Sequence, residues 1–258
     1  MIKRLRYFQF LITLFCAGAL LGLFSLPVLA QNGPERIDEG IILLEDFQED
    51  SVGQFPIGWY DRNGNKTLKN HDPKVVEDYN YRILSEDSNK FLRYEGTSAK
   101  HINYPLINKK KENIYGIDIY KTPILSWKVR AYSLPNNGNE DSSDRNDVVA
   151  SVYVVFDFGR VALFKKVPKS IRYTWSTTLK EGTRTSKLFG NQQIVVVESG
   201  SENTGKWIKF ERNIVEDYRR LFGDDPPRTP LAILILSDGD STGSFVKADY
   251  DDIMLKSP

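Results

Sequence analysis

The sequence predicts an all-β domain, an antiparallel β-sandwich of jelly-roll type with one short helix. Three observations lead there. From Ile41 onward, short apolar or alternating runs are split by turn residues, and a period of two marks strands. One stretch alone carries helical spacing, and nine short strands with a single helix bury their apolar faces most simply as two packed sheets. The composition, 40% hydrophobic and 27% charged over 258 residues, is that of a globular chain and not of a disordered or collagenous one.

Residues 1–30 stand apart. Lys3, Arg4 and Arg6 precede an uncharged run that ends Val28-Leu29-Ala30, the layout of a signal peptide with a small-residue cleavage site. Its removal takes away three cations and no acids, so a net charge of +1 becomes −2. A near-neutral domain lacks the basic footprint that nucleic acid requires. The expected compartment is the periplasm or the exterior, with anchoring by an uncleaved signal as the minor route, since about 20 apolar residues span a bilayer. No later run reaches that length, so no stable membrane span is expected after cleavage. Cys16, the one thiol, lies within the signal, which removes disulfides and thiolate chemistry from the mature chain. Residues 31–40 read as a linker and 41–258 as a single β-sandwich domain.

In chain order the expected strands cover 41–47, 90–94, 124–132, 148–156, 171–175, 193–197, 207–214, 231–237 and 245–255. Leu125, Trp127, Val129 and Ala131 alternate with Ser126, Lys128, Arg130 and Tyr132, and Ile171, Tyr173 and Trp175 share the face opposite Arg172 and Thr174. The segment 148–156 is apolar on both faces, as a strand central to a two-layer packing should be. The helix covers 214–222, where Ile214, Tyr218, Leu221 and Phe222 form one stripe that Gly223, Pro226 and Pro227 end. The polar stretch 135–146 reads as an exposed loop, and Lys109-Lys110-Lys111 as a solvated turn.

Several catalytic constellations are excluded. His71 and His101 are the only histidines, both in polar stretches, so a three-histidine zinc site cannot form. No Gly-x-Ser-x-Gly elbow or His-Glu-x-x-His helix occurs. The stretch from Gly200 to Gly205-Lys206 has phosphate-loop spacing, but Trp207 stands where Ser or Thr would hold magnesium and a strand follows, so a hairpin turn explains it. Asp238-Gly239-Asp240 is similar to the nucleophile motif of haloacid-dehalogenase-type phosphatases but sits too near the end of the chain for their later motifs.

Two acidic sets are candidates for a structural calcium. Glu45-Asp46-Phe47 and Asp251-Asp252-Ile253 resemble the terminal strands of galactose-binding-like jelly rolls; the resemblance implies that these strands pair and that Glu45, Asp46, Asp251 and Asp252 hold the ion. The alternative set is Asp238, Asp240 and Thr242, spaced like the front of a calcium loop with Asp249 at the twelfth position, since alternate oxygen ligands suit a hard cation. For ligand binding, Trp59, Tyr60, Trp127, Tyr132, Tyr173, Trp175 and Trp207 supply flat apolar faces with polar edges. The set expected on a binding face is Lys128, Arg130 and Tyr132, with Tyr173 and Trp175.

The segments Leu125-Ser126-Trp127-Lys128-Val129, Asp147 through Phe156, Arg172-Tyr173-Thr174-Trp175-Ser176, Asp217-Tyr218-Arg219-Arg220-Leu221-Phe222-Gly223, and Asp238-x-Asp240-x-Thr242-Gly243 followed by Tyr250-Asp251-Asp252-Ile253 resemble the bacterial family catalogued as domain of unknown function 3047. The resemblance implies an exported β-sandwich without an assigned activity. Asp251 stands where a Gly is expected in many relatives. Together these features point to an exported non-catalytic module that binds a glycan or another cell-envelope ligand. The rivals are a hydrolase of envelope polymers using paired carboxylates among Asp157, Glu198, Asp238 and Asp240, and a protein-interaction scaffold.

Overall fold

The computed structural model describes residues 33–61, 72–108, 110–160 and 166–258; residues 1–30, read as a signal, with Cys16, and His71 and Lys109 lie outside the described residues. The chain opens with β1 (Glu35–Asp38), β2 (Ile41–Glu45), β3 (Tyr60–Asp61) and a short helix α1 (Pro73–Tyr79). Then come β4 (Tyr81–Glu86), β5 (Asn89–Gly96), β6 (Ile102–Pro105), β7 (Ile124–Ser133), β8 (Val148–Arg160) and β9 (Lys166–Ser176). The last part holds β10 (Arg184–Lys187), β11 (Gln192–Ser199), β12 (Ile208–Asn213), helix α2 (Ile214–Phe222), β13 (Ala232–Asp238) and β14 (Val246–Lys256).

These strands form two seven-stranded sheets, as a jelly-roll-like sandwich requires. The first is organised by β14. One edge of β14 pairs with β5 over Val246–Tyr250 and with β2 from Ile253 onward, while its other edge pairs with β7, which carries β12 beyond it. The first long strand and the last therefore lie side by side, with Glu45 opposite Ile253. The second sheet runs β10-β11-β9-β8-β13-β6-β3 and is antiparallel except for the β11–β9 pair.

The core fills the space between the sheets. From the first sheet come Leu125, Trp127, Val129 and Ala131, as the alternation of β7 dictates, with Ile83, Tyr94, Ala248 and Tyr250. From the second come Ile102, Val152, Val154, Ile171, Tyr173, Trp175, Ile233 and Ile235. Trp127 lies 5.4 Å, ring centre to ring centre, from both Tyr173 and Phe210. Helix α2 begins at an Asn213 cap that accepts from the Glu216 amide and ends at Gly223 in the left-handed region (φ 71°), a conformation glycine adopts at no steric cost. Its buried Asp217 takes hydrogen bonds from the Tyr173 hydroxyl (2.9 Å) and from Arg212 and Arg220, which ties the helix to the core.

Five strands and one helix go beyond the sequence expectation. Residues 35–38, read as linker, form the edge strand β1, whose four residues are all exposed and so carry no alternation. β4 joins β5 through Asp87 and Ser88, both at positive φ, the two-residue turn whose twist matches a hairpin. α1 starts at Asp72 and Pro73, a capping pair hidden in a polar stretch. The 135–146 stretch is not wholly exposed: Glu140 is buried and accepts from Thr174 and Ser176. Residues 200–206 are not a hairpin turn but the passage from β11 in one sheet to β12 in the other.

The packing predicts a sharp contrast in urea unfolding. Trp127→Ala should lower stability by about 3–5 kcal/mol through the cavity it leaves, whereas Phe245→Ala, at an exposed site, should stay within about 0.5 kcal/mol.

Candidate functional site

On the outer face of the first sheet, Lys128, Arg130 and Tyr132 point away from the core as the alternation predicts. There they form a closed network. Arg130 is only 8% exposed; its guanidinium stacks over Trp207 at 4.6 Å, Phe91 at 5.2 Å and Tyr132 at 5.3 Å. It pairs with Asp249 at 2.9 Å and Glu86 at 2.7 Å. Arg93 binds both Asp249 oxygens, at 2.5 and 2.8 Å, and Lys128 pairs with Asp252 at 2.5 Å. Asp249, expected at the twelfth position of a calcium loop, is instead the buried counter-ion of two arginines.

Tyr173 and Trp175 are the clearest correction. Both are 1% exposed, inside the sandwich, and their polar tips are satisfied there by Asp217 and by the Gly200 carbonyl (2.9 Å each). They cannot offer a ring face to a ligand. The strand faces were read correctly, but their partners come from distant elements.

The terminal acids are neighbours in register without converging. Glu45 accepts from the Phe47 amide (2.9 Å) and the Trp59 indole N–H (3.1 Å), Asp46 from the Gln48 amide (3.1 Å), and Asp251 from the Asn89 side chain (2.9 Å). Burial, with the charge of Asp50 nearby, pushes the Glu45 carboxyl up to about 8. Asp50 and Asp251 are raised to about 6, chiefly by burial.

Among the described residues, the carboxylates that do gather are Asp147, Asp238 and Asp240, whose oxygens lie within 4.8 Å of one another. Asp238 and Asp240, from the alternative set, thus meet Asp147, which sequence reasoning passed over. Thr242 donates from its amide (2.7 Å) and its hydroxyl (2.5 Å) to Asp147 instead of joining them as a ligand, and the Ser241 amide donates at 3.1 Å, so Asp147 clamps the turn after β13. Burial, with the Asp147 and Asp240 charges, raises Asp238 to about 7. Of the remaining acids proposed for hydrolysis, Asp157 accepts from the Phe158 amide and Glu198 from Ser199 and Asn203, each on its own.

The outer face of the second sheet holds what the sequence did not single out. Its register aligns one residue per strand in a row: Tyr60 on β3, Asn103 on β6, Leu234 on β13, Tyr153 on β8 and Arg172 on β9. Four strand spacings make this row roughly 19 Å long. A groove of about 460 Å³ opens at the β3–β6–β13 end, lined by Tyr60, Asn103, Tyr115, Leu231 and Phe158, with Lys111 at its margin. The Asn103 side-chain oxygen is buried without a hydrogen-bond partner, and so is one terminal nitrogen of Arg172, whose Nε donates to Ser151 at 2.9 Å. Unmade buried hydrogen bonds are costly; of the row, Asn103 lines the groove, whereas Leu234 (9% exposed), Tyr153 (3%) and Arg172 (2%) are buried. Tyr60 was among the aromatic candidates; Asn103 was legible only as the polar member of the alternating Ile102-Asn103-Tyr104.

Sheets, core and groove thus define a jelly-roll-like β-sandwich with a ligand-sized cleft on one sheet. The chain belongs to the family described as "Protein of unknown function (DUF3047)", which it matches over residues 68–254. No curated protein matches it. Among solved structures it is similar to a family 11 carbohydrate-binding module of a Clostridium thermocellum cellulase, at 12% identity over 86% of this chain and 96% of that one, TM-score 0.38. It is also similar to a family 30 carbohydrate-binding module of a C. thermocellum cellulase, at 10% identity over 79% and 93%, TM-score 0.38. An exo-β-agarase matches at 11% identity over 84% of this chain and 25% of its own, TM-score 0.34. At these values no site residue carries over.

Two predictions follow from the electrostatics. Removing Asp249 (Asp249→Ala) leaves Arg93 and Arg130 without their shared anion and should cost about 3–5 kcal/mol in denaturant unfolding, whereas Asp252→Ala, which frees a half-exposed Lys128, should cost at most about 1 kcal/mol. Secondly, Glu45, Asp238, Asp50 and Asp251 hold protons more tightly when folded, so their contribution is full at low pH and is lost as pH rises through about 6 to 8. Thermal melts in chelator should therefore fall between pH 5.5 and 8.5, less steeply in Glu45→Gln; a melting temperature that is flat or rising over that range contradicts the assignment.

Proposed function

We propose that the protein is an exported, non-catalytic module that binds a glycan in the groove at the β3–β6–β13 end of its second sheet. The observation that carries the reading is the groove at the β3–β6 end of this sheet, where half-buried Tyr60 and Tyr115 line the same cleft as Asn103, whose side-chain oxygen has no hydrogen-bond partner among the described residues. Ring faces with a few convergent polar groups suit a flat, hydroxyl-rich ligand. An acceptor left open at the groove wall is a group that a ligand hydroxyl satisfies. The near-neutral charge and the signal-like N-terminus agree with a partner met outside the cytoplasm. No described residue lining the groove is an acid, so this site favours binding over carboxylate-pair hydrolysis. The network around Lys128, Arg130 and Tyr132 is read as structural, because its cations already have partners.

Affinity-gel electrophoresis of residues 32–258 against a panel of polysaccharides tests this. Retention on at least one is expected, reduced about tenfold or more by Tyr60→Ala and by Asn103→Ala, which remove buried contact and hydrogen bonding worth about 1.4 kcal/mol or more. Tyr132→Ala should leave it unchanged. Retention on none, or loss with Tyr132→Ala alone, would contradict the proposal.

A further inference from the structure

A second groove, of about 270 Å³, opens where β12 of the first sheet meets the β10–β11 edge of the second. That is near the lower end of small-ligand sites. Four cations, Arg184, Lys209, Arg212 and Arg220, and two acids, Glu181 and Glu211, line it. Strand alternation aims two of the arginines. Thr185 and Lys187 reach Asp141 and Ser142 on the outer side of β10, so Arg184 lies on the side that faces β12. On β12, Phe210 is in the core, and Arg212, two residues on, shares its side and lies over the Tyr173 ring at 5.8 Å.

The acids in reach do not neutralise these cations. Buried Asp217 is shared by Arg212, which donates from Nε at 2.8 Å and Nη2 at 2.6 Å, and by Arg220. One carboxylate cancels one guanidinium of the two, and the same bonds hold both in place while their side chains stay 31% and 46% exposed. Glu211 is likewise shared, by Lys209 at 2.7 Å and Lys256 at 3.0 Å. Glu181 is left to offset Arg184, which has no carboxylate partner among the described residues. Five cations therefore meet three acids here, although the chain without residues 1–30 carries a net charge of −2. The positive excess is local to the groove.

We infer that this groove binds an oxyanion group, a carboxylate or a sulfate ester, of an acidic polysaccharide, with Arg184, Arg212 and Arg220 as its donors and Lys209 at the rim. Planar guanidiniums present paired N–H groups that match the two oxygens of such an anion, and fixing them beforehand lowers the entropy lost on binding. A nucleic acid fits less well, because one small groove on a chain of net negative charge lacks the extended basic footprint a phosphate backbone requires. The groove lies at the opposite edge of the second sheet from the Tyr60 groove and shares no residue with it, so the two sites stand independently.

The test uses residues 32–258, because every described strand, helix and core residue lies in that unit. Affinity electrophoresis through gels holding polygalacturonate, which carries carboxylates, or dextran sulfate, which carries sulfate esters, should retard the protein on at least one of them, and high salt should weaken the retention. Which polymer holds it identifies the anion. Arg184→Gln and Arg220→Gln should each cut the retention about tenfold by removing charge-assisted hydrogen bonds. Their melting temperatures should stay close to the parent's, since Arg184 is exposed and Asp217 keeps Arg212. Arg36→Gln, which removes one charge from the exposed edge strand β1, should leave retention unchanged, and so should Tyr60→Ala. No retention of the parent on either polymer, or equal losses with Arg36→Gln and Arg184→Gln, overturns the proposal.

Discussion

The strand β14 is the constraint on which the rest of the molecule depends. Both of its edges are used, one by β7 and the other by β5 and then β2, so residues from the two ends of the domain and from its middle are fixed in a single ladder. Across it lie Asp249 with its two arginines on the outer side and Tyr250 in the core, where the Tyr250 hydroxyl donates to the Leu236 carbonyl at 3.0 Å. That bond spans the two sheets. The β14 ladder and this bond together hold the second sheet against the first.

With the sheets locked in this way, the outer face of the second sheet becomes a platform of fixed spacing. Tyr60 and Asn103, on the groove wall, face each other across the β3–β6 ladder, which holds their spacing more rigidly than loops would. Beyond the groove the apolar members of that face, Val148, Tyr153, Val155, Leu234 and Leu236, form a small second cluster that is itself buried. This explains why β8 and β13 are apolar on both sides.

Much of the fold was legible because period-two alternation survives wherever one face meets a core. β7 and β9 show it cleanly, and α2 was readable from its stripe and its glycine stop. The strands that escaped are those without that contrast: β1 is exposed throughout, β3 is two residues long, and β10 alternates half-buried and exposed polar residues. The site was less legible for a different reason. Alternation says that Tyr173 and Trp175 share a face, but the groups that satisfy their polar tips, Asp217 and the Gly200 carbonyl, are some 25 to 44 residues away. Likewise Asp147 joins Asp238 only through the pairing of β8 with β13, and no local spacing announces it.

The central claim is that the groove lined by Tyr60, Asn103 and Tyr115, and not the arginine network on the opposite sheet, meets the ligand. Backbone-amide NMR of residues 32–258, titrated with cello-, laminari- and chito-oligosaccharides, tests it most directly. The account predicts that the amides which shift cluster around Tyr60, Asn103, Tyr115, Phe158 and Leu231. A cluster around Lys128, Arg130 and Tyr132, or no shift with any of the sugars, would contradict it.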